Sequence, residues 1–379
     1  MTTPPHAVFG LTTPNLGDDL QALTVAMHAP HVSTLLHRES LAKGQTEARH
    51  VLVMNYWFMS KGWKAAPHAN VDPIFHGFCV GRDELLAYRW PDYLARHAPI
   101  GCRDARSVAL LTEKGIAAYW SGCITLFLGR KVEPVPAHAR RGVLFVDVAP
   151  EAEALIPPDL VRRAERLSNT VPEAIRNDPV ARWAHIARIC DRIRTAELVV
   201  TRRLHTALPA TGFGTPVALV VHNKPQDVRR FSGYERFLPL LIHDDGKLVK
   251  GIDWDAVTAP VIPEELVGHY QSFLEVLGAR LGTLPEGRAA QLSKVCRFRL
   301  PNPGLGPVPG EVEIDLGVTR IRRVPEGWSD QAIDLAIDAF PGFERFDVPV
   351  AVRAPKAWAF TPVGRLKAFA IGDGAPSAS

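Results

Sequence analysis

The stretch LVVTRRLHTALPATGFGTPVALVV, residues 198–221, decides the fold class. Leu198, Val199 and Val200 form an unbroken apolar run, the pattern of a strand covered on both faces in a parallel sheet. The Ala- and Leu-rich segment from Thr206 stops at Gly212 and Gly214, glycines that end a helix and turn the chain. Pro216 then leads into a second apolar strand over residues 217–221. Strand, helix and strand make a compact βαβ unit, and ligands of such sheets bind beyond the carboxyl ends of the strands. Arg202, Arg203 and His205 stand at that end. Arginine offers a rigid fork for carboxylate or phosphate, and histidine exchanges a proton near neutral pH. The competing reading is a solvated arginine pair beside a histidine that only starts a helix.

Two further segments extend the pattern. Residues 7–11 read as a short strand, and TTPNLGDD, residues 12–19, is a polar turn leading into a helix marked by Leu20, Leu23, Val25 and Ala26. Gly17 permits close backbone approach there, and the N–H groups at the helix start can hold an anion or a sugar hydroxyl. Asp18 and Asp19 oppose an anion; they read first as helix caps and second as acceptors of a hydroxyl proton. In HAPIGCRDARSVALLTEKGIAAYWSGCITLFLG, residues 97–129, a strand at 100–104 ends in the Arg103-Asp104 pair. A helix follows over 105–114, then a Gly115 cap and a strand at 116–120. Arg103 either reaches the cleft of Arg203 or pairs structurally with Asp104.

Taken together these segments resemble the polysaccharide pyruvyl transferase family. The resemblance rests on NLGDD with its helix at residues 15–26, PIGCRD at 99–104, GIAAYWSGCITL at 115–126 and VVTRRLHTALPATGFGTP at 199–216. Val53-Met54-Asn55-Tyr56-Trp57 is similar to the family's asparagine and aromatic step. The order and spacing hold from Phe9 to about Lys224, leaving the carboxyl-terminal third uncovered. The resemblance implies two Rossmann-like domains facing across a cleft, as in GT-B glycosyltransferases. It implies transfer of the pyruvyl group of phosphoenolpyruvate onto two hydroxyls of a saccharide, as a cyclic ketal, with release of phosphate. Through the R-L-H match, Arg203 is expected to hold the donor and His205 to act as general acid, with Leu204 against the pyruvyl group; since the donor's carboxylate and phosphate call for several cations, Arg103 is the second expected donor contact. Arg202, Asn15, Gly17, Asp18 and Asn55 are the accompanying substrate contacts. Lys224 adds a phosphate contact, unless it is a solvated surface lysine.

Composition fits an ordinary α/β enzyme. The chain has 379 residues, long enough for two domains and an extra piece: 1–132 on the acceptor side, 142–284 with the donor site, and 285–379 as a small α+β appendage. The Pro- and His-bearing residues 132–141 read as the crossing linker, and GVLFVDV at 142–148 as the opening strand of the second domain. Helices are expected over residues 181–194 and 264–281, the latter packing back with Tyr270 and Phe273 as core positions. In the appendage, residues 311–324 and 348–353 read as half-exposed strands around a helix at 330–340. Residues 372–379 read as a disordered tail.

The net charge of +4 is too small and too interspersed to point to nucleic acid. Five dispersed cysteines without a C-x-x-C pair argue against a disulfide framework or zinc site and for a reducing cytoplasm. The amino terminus lacks the pattern of a signal peptide, and no apolar run reaches the roughly 20 residues that span a bilayer. The expectation is a cytoplasmic transferase of cell-envelope polysaccharide biosynthesis with at most peripheral membrane contact. No metal or cofactor is expected besides the donor, and homo-oligomerisation stays open. His76 beside Gly77 can face the cleft or pack structurally, as can His68; Trp57 and Trp63 can stack on a sugar or fill a core. A glycosyltransferase using a nucleotide sugar is the alternative activity. A non-catalytic saccharide-binding protein is a third reading, opposed by the joint presence of Arg103, Arg203 and His205.

Overall fold

The computed structural model describes residues 6–281 apart from 11–12, 29–30, 33, 45–47, 59–64, 133 and 177–178, and short strand segments beyond residue 295. The first sheet has four parallel strands, β1 (His6–Phe9), β2 (Thr34–Leu36), β3 (His50–Val53) and β4 (Val71–Ile74), in the order β2-β1-β3-β4. Every residue of β1 and β3 is buried, as expected for strands covered on both faces. Pro73 sits in β4, at the sheet edge, where the ladder bond that proline cannot donate is not needed. Beyond this sheet, β5 (Ile100–Cys102) and β6 (Ala118–Trp120) form a parallel pair, and Cys102 also bridges to Phe78.

The second sheet contains β7 (Val143–Val146), β8 (Ala164–Leu167), β9 (Leu198–Thr201), β10 (Val217–His222) and β11 (Leu240–Asp244), all parallel. The exposed edge strand β12 (Lys247–Lys250) runs antiparallel. Their order is β8-β7-β9-β10-β11-β12, so the sheet starts in the middle and winds outward in both directions. In each sheet the order therefore reverses once, between β1 and β3 and between β7 and β9. Such reversals leave a crevice at the carboxyl ends where ligands bind. The alternation along the second sheet is regular. Phe145, Val200, Val220 and Leu241 face one apolar cluster, and Leu144, Val146, Val199, Leu219 and Val221 face another.

That second cluster is shared with the first sheet. Val8, Val51, Val53 and Ile74 join it from β1, β3 and β4. The helices between are α1 (Leu16–Ala26), α3 (Pro179–Thr195) and α4 (Leu204–Gly212), while α2 (Ala105–Glu113) lies by the β5–β6 pair. The apolar segment Ile124–Lys131, a 3-10 helix, packs so closely on α4 that a Cβ on Gly129 would fall 1.7 Å from the carbonyl oxygen of Gly212. Gly212, read from the sequence as a helix stop, is equally a point of backbone approach. Helix α5 (Glu264–Arg280) returns to the first half as expected. Tyr270 stacks on Phe127 at 4.0 Å between centroids and its hydroxyl lies 2.6 Å from Nε2 of His28, while Phe273 stacks on His76.

In the appendage one expectation is overturned. Asp334–Ile337, placed within a helix by the sequence reading, is a strand paired antiparallel with Cys296–Arg299. A run as short as DLAI does not distinguish the two periods, and the non-local partner decided it. Ile314–Asp315 and Arg320–Ile321 are strands within the stretch read as such. Residues 348–353, the tail 372–379 and Trp63 lie outside the described residues. Among the described residues no helix is long and apolar enough to cross a membrane. Cys79, Cys102, Cys123 and Cys190 are free and buried.

Candidate active site

Helix α1, which follows β1, meets the turn that follows β9. At the carboxyl end of β9, Thr201 accepts the backbone N–H of Arg203 at 2.9 Å and donates its hydroxyl to the carbonyl of Val146, fixing the turn into α4. His205 sits in the first turn of α4 with non-helical backbone angles. Its ring lies against Gly17 of α1. A Cβ on Gly17 would stand 2.5 Å from His205 Nδ1, so a side chain at residue 17 and the present ring position exclude each other. The histidine is buried, and its Nε2 has no hydrogen-bond partner among the described residues. Burial holds its pKa well below the ordinary histidine value, with Arg103 and Arg230 adding to the effect.

Arg103 and Arg230 act on this ring through their charge, and Arg203, two residues from it in the chain, acts on Arg230 to complete a set of three guanidinium groups. Arg103, at the end of β5, is 2% exposed. Its Nη2 lies 3.0 Å from Cys79 Sγ, its Nε 3.8 Å from Asp104, and its backbone carbonyl accepts from Trp120 and Tyr234. Arg103 thus lies within ion-pair range of Asp104 and also acts, with Arg203, on Arg230. Arg203 is half-buried, and its Nε donates to Asp147 at 2.6 Å. Arg230, which the sequence reading missed, stacks on Trp57 at 4.4 Å; Arg103 lies 5.9 Å from the same ring. Burial, then Arg103 and Arg203, bring the pKa of Arg230 down to about 10. Trp57, Cys79, Gly81, Arg103, Arg229 and Arg230 line a narrow crevice, which adjoins a cavity of about 390 Å³ bounded by Trp57, Gly81, Arg82, Asp83, Glu84 and Arg229.

The amino-terminal turn corrects the capping assignment. Asn15, not Asp18 or Asp19, caps α1, its side chain accepting from the Gly17 N–H at 3.1 Å. The Leu16 N–H goes to the carbonyl of Asn169 and that of Asp18 to Asn15, so these first donors of the helix are already engaged rather than open to an anion. Asp18 accepts the Thr13 hydroxyl at 2.6 Å and has Arg38 at 3.7 Å; burial raises its pKa while Arg38, Thr13 and Arg103 oppose the rise. Asp19 is bound by Arg182 of α3, and burial lifts its carboxyl to about 7 against the pull of that arginine. Both carboxylates were spent on tertiary partners, because burial beside arginines gives them stronger bonds than a helix end does.

The other sequence candidates separate. Asn55 is buried and donates to the carbonyl of Gln21 in α1, close to Gly77. Leu204 is buried in the shared core and Arg202 is exposed. His76 is fully buried, stacked on Phe273 at 4.5 Å with neither ring nitrogen bonded among the described residues; burial, then His269, lowers its pKa to about 3. Lys224 is exposed near Asp245, which hydrogen-bonds His222. Asp147, Asn169, Trp57, Arg229 and Arg230 went unread or discounted. The one available signal was Arg229-Arg230, a second arginine pair soon after an apolar parallel strand, echoing Arg202-Arg203.

An α/β protein of mainly parallel sheets, with these arginines and an imidazole whose Nε2 is unbonded among the described residues near the carboxyl ends of its strands, has the character of a binder of anionic ligands. Residues 56–224 match the family model described as polysaccharide pyruvyl transferase. The matched segment carries Arg103, Arg203 and His205, and the match indicates a transferase of the pyruvyl class with a saccharide acceptor. Asn15, Gly17 and Asp18 precede the matched residues. No curated protein sequence matches the chain.

Proposed function

We propose that the protein transfers the pyruvyl group of phosphoenolpyruvate onto two hydroxyls of a saccharide, forming a cyclic ketal and releasing phosphate. The observation that carries this reading is the mutually coupled set Arg103, Arg203 and Arg230 beside the buried His205, whose Nε2 has no hydrogen-bond partner among the described residues. Phosphoenolpyruvate brings a carboxylate and a phosphate close together, and such a cluster complements both. Burial, then Arg103 and Arg230, disfavours the charged imidazole, and the negative charge of a bound donor would favour it. His205 then protonates the methylene carbon, and the acceptor hydroxyl adds to the neighbouring carbon. Phosphate leaves, and the second hydroxyl closes the ring. One hydroxyl proton is recovered in the new methyl group and the other leaves with phosphate.

In this reading the two sheets are Rossmann-like halves of a GT-B-like cleft. The arginines neutralise the donor without metal or cofactor, and Lys224, Arg202 and Leu204 flank the donor. The acceptor is a nucleotide- or lipid-linked precursor handled in the cytoplasm. A glycosyltransferase using a nucleotide sugar is not favoured, given the family of the segment that bears the cluster. Calorimetric titration with phosphoenolpyruvate and with nucleotide sugars tests the reading. Saturable phosphoenolpyruvate binding that is markedly weakened, but still measurable, in Arg203→Ala is expected; binding of a nucleotide sugar alone would overturn it.

A further inference from the structure

One closed circuit, made of hydrogen bonds, one packing contact and the chain itself, joins the arginine and histidine of the site across both sheets. Asp147, the residue after β7, accepts from Arg203 Nε at 2.6 Å and from the Asn169 backbone N–H at 3.1 Å, both on Oδ2. Asn169 in turn accepts the Leu16 N–H at 3.0 Å and donates its side-chain amide to Asn15 Oδ1 at 3.0 Å. Asn15 Oδ1 also holds the Gly17 N–H, and Gly17 is the surface on which the His205 ring rests. His205 lies two residues from Arg203, which completes the circuit.

Asp147 holds its place at a cost. Its φ is +52°, a left-handed conformation that L-residues other than asparagine and aspartate seldom adopt. Strain of this kind persists only where surrounding bonds over-determine it, and here the two bonds to one carboxylate oxygen do so. The contact to Arg203 is made through Nε, so the two terminal nitrogens of the guanidinium are not spent on Asp147. An arginine held by Nε is aimed rather than quenched.

We propose that Asp147 is a positioning residue. It aims the guanidinium of Arg203 at the donor, and Asn169 registers that aim against His205 through Asn15 and Gly17. The donor arm of this inference rests on the phosphoenolpyruvate reading; the holding of Arg203 does not. The decisive variant is Asp147→Asn, which keeps the shape, the tolerance of positive φ and an oxygen for Asn169 but removes the charge that holds Arg203.

Two measurements on the full-length protein separate the claims. In the ligand-free protein, the Arg203 Nε–H resonance, assigned by its loss in Arg203→Lys, is expected to be shifted and protected from exchange. In Asp147→Asn it should collapse into the solvent-averaged arginine envelope; an unchanged signal would overturn the holding role. In calorimetry, Asp147→Asn should weaken phosphoenolpyruvate binding about three- to ten-fold at unchanged melting temperature, the loss of one pre-ordered long side chain. On an Arg203→Ala background the same substitution should change nothing further. Additive weakening in the double variant, or wild-type affinity in the single one, would refute the aiming role. Wild-type protein with a protected Arg203 signal and no phosphoenolpyruvate affinity would reject the donor assignment and leave the positioning of Arg203 standing.

Discussion

His205 is legible in the sequence as a titratable residue at a strand end, but its chemistry is set by neighbours far along the chain. Arg103, Arg230 and burial keep it neutral in the free protein. His205→Ala should lower turnover by about 100- to 10,000-fold, the usual worth of a positioned general acid, while leaving most phosphoenolpyruvate affinity. Arg230→Ala should weaken donor binding by about 10- to 100-fold, the loss of a charge-assisted bond. Calorimetry alongside single-turnover phosphate release reads both; equal loss of binding in the two variants would contradict the division of roles. Proton uptake by His205 should also appear as a dependence of the binding enthalpy on buffer ionisation, absent in His205→Ala. For Asp18 and Asp19, sequence reasoning favoured local capping because it sees only local partners. Arg38 and Arg182 took those carboxylates through tertiary contacts, with the Thr13 hydroxyl of the same turn added on Asp18.

Among the elements, strands and helices were read well where the apolar period was long. Leu198–Thr201, Val217–His222 and Glu264–Arg280 all fall where their periodicity placed them. The failure at Asp334–Ile337 came from a segment too short to carry a period. Packing of elements is less visible in sequence. Gly129 and Gly212 allow the 3-10 helix and α4 to touch backbone to backbone. Gly129→Ala should therefore destabilise by at least about 1–3 kcal/mol through forced separation of the two. Gly268, in α5, has no atom within 4 Å of where a Cβ would lie, and Gly268→Ala should stabilise by about 0.5–1 kcal/mol through helix propensity alone. Urea midpoints of the two variants check the contrast.

At the scale of the whole molecule, the core shared by both sheets carries several histidines buried without charge. His28 and His76 both have lowered pKa values, with burial the leading cause, and that of His76 falls to about 3. The sign follows from proton counts. Below about 6.5 the unfolded chain gains protons at these sites and the folded protein does not. Stability is thus complete above pH 6.5 and is lost as pH falls toward 3, at up to about 1.4 kcal/mol per pH unit for each such site. Denaturant midpoints between pH 8 and 5 should show this slope, and His76→Leu should flatten it.

By itself the sequence determined an α/β chain with parallel strands, the family of its central segment, and the residue types that end each strand. These follow from local periodicity and from turn chemistry, which short windows carry. Only the tertiary structure decided that Gly17 meets His205, that Arg230 and Trp57 join Arg103, and that Asp147 holds Arg203. Those choices depend on how two sheets and their intervening helices bury one apolar core. Burial of that core brings together charges separated by up to about two hundred residues, and no window of sequence contains that information.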